Sequence, residues 1–139
     1  MDPLADIDAR CDAIEACYEY NLAYAAKGIN GDEEGTSSNE LRHYLITAVD
    51  AMQGLGKSFR EAVEQAGLKP AVRYTDFIDI LERDAKDAQV TIELVLAQPV
   101  ISSQLIDNLN ASLHLRALLT DLFMIDELIK TRLRLAAAN

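Results

Sequence analysis

From Leu41 onward, apolar residues fall at alternating steps of four and three: Leu41, Leu45, Ala48, Met52, Leu55, Phe59, Ala62 and Ala66. That spacing lines one side of an α-helix and forms a heptad seam. Val49, Gly56 and Val63 add a neighbouring row and widen the buried stripe, as expected for a helix packed among others. With Gly67 and Pro70 beyond it, the pattern predicts a helix over 38–66. Ahead of it, Ile7, Cys11, Ile14, Tyr18, Leu22 and Ala25 predict a helix over 3–27, closed by Gly28. Behind it, Phe77, Leu81, Ala85, Ala88, Ile92 and Val95 predict a third helix over 75–98 with Thr75 as its cap. Its outer face carries Asp79 with Arg83, Glu82 with Lys86 and Arg83 with Asp87, all four apart, where ion pairs are expected. QVTIELVLA, within that stretch, also alternates as a strand would.

After Pro99, Ser102 or Ser103 can cap a fourth helix over 102–135, with Leu115, Leu118, Leu122, Ile125 and Ile129 on its seam. A second row, Ala117, Met124, Leu128 and Leu135, is more apolar surface than one seam needs, so this helix is central or pairs with a second copy. Lys130, Arg132 and Arg134 fall toward its carbonyl end, where the helix dipole favours cations. The expectation is an all-α chain, one domain over 1–139, folded as an antiparallel four-helix bundle that dimerises through its fourth helix.

Composition agrees with helices on helices: half of the 139 residues are apolar, with six Gly, three Pro and no Trp. Against 13 basic side chains stand 23 acidic ones, a net charge of -10 that repels phosphate backbones and anionic lipid. Direct nucleic-acid and membrane partners are therefore not expected; an acidic mimic of nucleic acid that blocks a basic protein groove remains as an alternative. No secretory signal and no apolar run long enough to span a bilayer is visible, which predicts a cytoplasmic protein. Cys11 and Cys17 lie six apart on one predicted helix, a spacing unsuited to a disulfide, so both are expected reduced.

An acidic loop is expected over 29–37. Its Asn30, Asp32, Glu34 and Gly35 resemble the start of an EF-hand calcium loop, but the twelfth position, which that motif fills with a bidentate carboxylate, is Leu41. Ser37 followed by Glu40 is a capping box and accounts for the same residues.

AMQGLGKSF, Ala51 to Phe59, resembles the phosphate loop of P-loop nucleotidases, with Ala51 where the first glycine belongs. The resemblance implies a nucleotide held by Lys57 and Ser58, with Asp126 and Glu127 of LFMIDE as the magnesium-holding and water-activating carboxylates. Met52, Leu55 and Phe59 keep the heptad phase through this stretch, which a loop has no reason to do. Helix is thus the favoured reading, with Gly56 a site of close helix approach and Gly54 a kink. Glu40 and His43 form one ExxH and resemble half of a ferritin-like di-iron set, but Ala111 stands where a second Glu would precede His114. Neither histidine is followed by the Lys-Gly of HPt phosphotransfer domains. Tyr20 and Tyr24 share a helical face and join Ala117, Met124, Leu128 and Leu135 as interface candidates. The function expected is therefore non-catalytic: a regulatory, adaptor or inhibitor protein that acts on a protein partner of unknown identity and needs no cofactor.

Overall fold

The structure, a computed structural model, describes residues 2–30 and 36–138, without the side chains of residues 36 and 37. Asp32, Glu34 and Gly35 of the expected acidic loop lie outside the described residues, as does the Ser37 side chain on which the capping box rests. All described secondary structure is helical: α1 Pro3–Ala26, α2 Thr36–Met52, α3 Leu55–Ala66, α4 Ala71–Leu96, α5 Ser103–Ala111 and α6 Leu113–Ala138. QVTIELVLA belongs to α4 up to Leu96.

Local chemistry sets most of the boundaries. Asp2 caps α1 by accepting from the Ala5 amide at 3.3 Å, Pro3 occupies the first turn, and Gly28, at φ 68°, follows its end. The helix expected over 38–66 is in fact two, because Gly54 adopts φ 78°, a left-handed conformation open to glycine. α4 begins at Ala71, four residues earlier than Thr75, since Pro70 at φ -76° is already set for a helix start. The Thr75 hydroxyl donates instead to the Val72 carbonyl at 3.1 Å. The helix expected over 102–135 also divides: Ser112 is extended at ψ 144°, which closes α5, and α6 runs on to Ala138. Lys130, Arg132 and Arg134 consequently precede the last turn of α6, which holds no basic residue.

The seams hold through both breaks. Leu41, Leu45, Ala48, Met52, Leu55, Phe59 and Ala62 are buried, as are Leu115, Leu118, Leu122, Ile125 and Ile129. α1 departs from its expected stripe in its second half, where Cys17, Asn21 and Tyr24 are buried while Leu22 is half exposed. The buried face there has turned by one residue, which sets Asn21 against α5: its Nδ2 donates to Asn110 Oδ1 at 2.9 Å, and Asn110 Nδ2 donates to the Tyr18 carbonyl at 3.0 Å. Facing partners satisfy both Nδ2 groups of this buried pair, while Asn21 Oδ1 has no hydrogen-bond partner among the described residues.

One apolar core takes residues from all six helices. α1 packs on α2, α3 and α5, while α4 packs on α2, α3 and α6. The residues that meet give the directions. Arg10 reaches Ala51 and Tyr20 stacks on Tyr44, so α1 and α2 run oppositely. Arg60 of α3 meets Asp79 and Glu82 of α4, and Arg42 of α2 meets the carbonyls of Leu96 and Gln98. Asp79 and Glu82 are thus engaged across helices, not with the Arg83 and Lys86 that spacing along α4 suggests. Arg60 Nη2 reaches both carboxylates at once, so one cation across the helices serves two anions of α4.

Candidate functional site

The stretch Ala51 to Phe59 is the elbow between α2 and α3, and several of its polar groups are engaged within the fold. The Ser58 amide donates to the Gly54 carbonyl at 3.1 Å, the first bond of α3, and the segment ahead of Gly54 is helix α2 instead of the strand that a phosphate loop follows. Arg10 of α1 donates to the carbonyls of Ala51 and Gln53, which α2 leaves free at its end. Ser58 is buried and its hydroxyl donates to Asp6 Oδ2 at 2.5 Å. That hydrogen bond, with the one from Arg10, holds the Asp6 carboxyl below its ordinary range. The Lys57 side chain is 81% exposed, with Glu61 at 3.9 Å. Gly56 lies so closely under the Glu82 side chain that a Cβ would require that side chain to move. Gly54 has Arg10 beside it.

Asp126, the other half of the nucleotide-binding alternative, pairs with Lys130 at 3.1 Å, and Lys130 also pairs with Asp8 of α1 at 3.2 Å. Glu127 is exposed on α6. Glu40 accepts a hydrogen bond from the Tyr20 hydroxyl at 3.0 Å, and exposed His43 meets Tyr44 edge-on. Among the described residues, no three His, Cys, Asp or Glu side chains gather as metal ligands. Burial pushes the thiols of Cys11 and Cys17 up to about 12, so both are inert core residues in the folded chain.

The interface candidates separate into two groups. Tyr24 is buried and its hydroxyl donates to the Ile101 carbonyl at 2.6 Å, so it is a core residue that ties α1 to the start of α5. An apolar ring with a satisfied hydroxyl is stable inside, which is why its spacing from Tyr20 misleads. Tyr20 is half-buried, stacked on Tyr44 at 4.4 Å between ring centres. The α6 candidates share one outward stripe. Met124 is 48% exposed, Leu128 49% and Leu135 60%, and Ala117 is partly covered.

Beside that stripe a groove of about 290 Å³ runs between α4 and α6, with Tyr74, Phe77, Met124 and Leu128 in its wall and Arg73 and Arg132 at its edge. Neither arginine has an ion-pair partner among the described residues. Further along the same two helices, Asp84 and Asp121 face each other. Burial first, then the hydrogen bond and charge of Asp84, push the Asp121 carboxyl up to about 7. Its Oδ2 is buried, and among the described residues no N–H group reaches it. The stripe follows from helical period alone, whereas the groove and the carboxyl pair exist only where α4 meets α6.

No family model matches the chain, and no curated protein or solved structure matches it either.

Proposed function

We propose that this chain is a non-catalytic interaction protein: an antiparallel bundle of four helical segments, two of them broken, that self-associates through α6 and acts on a protein partner. The carrying observation is the outward stripe of Met124, Leu128 and Leu135 beside the groove walled by Tyr74 and Phe77. Contiguous apolar surface rimmed by polar groups marks interaction sites, and scattered exposed apolar residues do not. The four-segment reading is supported by register. Asp8 pairs with Lys130 while Tyr18 meets Asn110, so α5 and α6 together run against α1. Asp84 lies at Asp121 while Arg73 and Arg132 share a groove, so α6 also runs against α4. Cytoplasmic residence goes with this reading, in which two buried thiols stay reduced.

Light scattering at micromolar concentration tests the self-association. Twice the mass of one chain is expected for the wild type, and one chain's mass for Leu128→Asp with an unchanged circular dichroism spectrum. A monomeric wild type overturns it. Thermal denaturation with magnesium and ATP tests the absence of nucleotide chemistry: no shift is expected, and a shift abolished by Lys57→Ala overturns that part.

A further inference from the structure

The face shared by α4 and α6 is polarised along its length. On α4, Arg73, Phe77, Ile80 and Asp84 recur at steps of four, three and four; on α6, Asp121, Met124, Leu128 and Arg132 recur at three and four. Both rows lie on one side of their helices. Because Asp84 meets Asp121 and Arg73 borders the same groove as Arg132, the carboxyls gather at one end and the guanidiniums at the other. Exposed apolar side chains lie between them, Ile80, Met124 and Leu128 among them. Asp121 and Arg132 are about 16 Å apart along α6, at 1.5 Å per residue.

We propose that a second copy of this chain covers this face with its α6 antiparallel, so that Arg73 and Arg132 of each copy meet Asp84 and Asp121 of the other. The inference rests on the reading of α6 as the self-association surface and specifies its register. A two-fold axis lying in the interface and across the helices reverses the partner's α6 and keeps its α4 over α4, so opposite charges meet twice. With the axis along the helices, guanidiniums would face guanidiniums and carboxyls would face carboxyls, an arrangement that costs affinity.

The apolar positions agree with the same register. Setting Met124 on the partner's Leu128 also sets Ala117 on the partner's Leu135, a small residue receiving a large one, and brings Thr120, next to Asp121, to the partner's Arg132. Arginine suits this contact, since its planar fork binds two carboxylate oxygens and desolvates more readily than lysine. Among the described residues the monomer gives neither arginine an ion pair, and it sets the Asp84 and Asp121 carboxyls against each other with no cation paired to either. A cation arriving across the interface would favour the ionised form of a carboxyl that burial now disfavours.

Charge reversal read by sedimentation equilibrium tests the register. Arg132→Asp alone and Asp121→Arg alone should each weaken self-association by roughly tenfold or more. An equimolar mixture of the two variants should recover it, because every facing pair is then opposite in charge. A dimeric wild type whose variants do not recover on mixing overturns the register and leaves the α6 surface standing. A wild type that stays monomeric at tens of micromolar overturns both, and assigns the face to a different occupant. Should Asp121→Arg fail to fold, disulfide formation between Ala117→Cys and Leu135→Cys chains decides: oxidation should give mixed cross-linked dimers, and their absence in a dimeric protein overturns the register.

Discussion

The elbow between α2 and α3 and the face between α4 and α6 are opposites in how they treat their polar groups. At the elbow, Arg10 serves the carbonyls of Ala51 and Gln53, Ser58 serves Asp6, and Arg60 holds the Asp79 and Glu82 carboxylates beside Gly56. On the α4 and α6 face, two arginines stand without ion pairs among the described residues, two carboxyls face each other, and apolar side chains meet water. Satisfied groups stabilise a fold, whereas unsatisfied ones at a surface are available to something else. The stretch that resembles a nucleotide motif is therefore built as a structural joint. The α6 stripe, with no motif at all, leaves apolar side chains exposed, which is what the proposed self-association would cover.

That contrast can be broken at its strongest point with Phe59, fully buried inside the motif-like stretch. Phe59→Ala should destabilise the chain by about 3–5 kcal/mol in urea denaturation, the usual loss for a buried aromatic; a loss under about 1 kcal/mol would remove the case for a structural elbow. Next comes Arg10→Ala, which leaves two helix-end carbonyls without their donor. It should cost about 1–3 kcal/mol, with melting temperature as the readout and no change expected in self-association.

A smaller effect depends on pH. The Asp121 carboxyl is raised from its ordinary 3.8 to about 7 in the folded chain. Between those values the folded state holds a proton that the unfolded state has lost, so this group's stabilising contribution is greatest below 3.8 and falls as pH rises through 7. Asp121→Asn should remove that decline. Measured at concentrations too low for self-association, its melting temperature relative to wild type should climb from pH 4 to pH 8, and a constant difference would contradict the burial of this carboxyl. The smallest effect belongs to Lys57→Ala, expected within about 0.5 kcal/mol of wild type, because its ammonium stands in solvent with a loose partner.

Much of this architecture was legible from period alone, and the gaps have physical causes. The Leu41 to Ala62 seam is buried as its spacing predicts, yet the break at Gly54 left no trace in that spacing. One left-handed residue turned the backbone while Met52 and Leu55 stayed three apart on the core side. Ser112 ends α5 with neither glycine nor proline to announce it. Asn21 reads as a surface residue because its partner Asn110 is 89 positions away. Among candidate site residues, Met124, Leu128 and Leu135 were visible as surplus on a helical wheel, whereas Tyr24 was misplaced because only the fold brings Ile101 to its hydroxyl. The groove with Arg73 and Arg132 needs two helices in register, which no single stretch of sequence encodes.

Amide hydrogen exchange, followed from dilute to concentrated protein, compares the two regions in one measurement. Concentration should slow exchange across α6 from Leu113 to Leu135 and in the first half of α4, while amides from Ala51 to Phe59 keep the same rates. Slowing confined to Ala51 to Phe59, or rates in α6 that do not depend on concentration, would contradict the assignment of the elbow to structure and of the α4 and α6 face to contact.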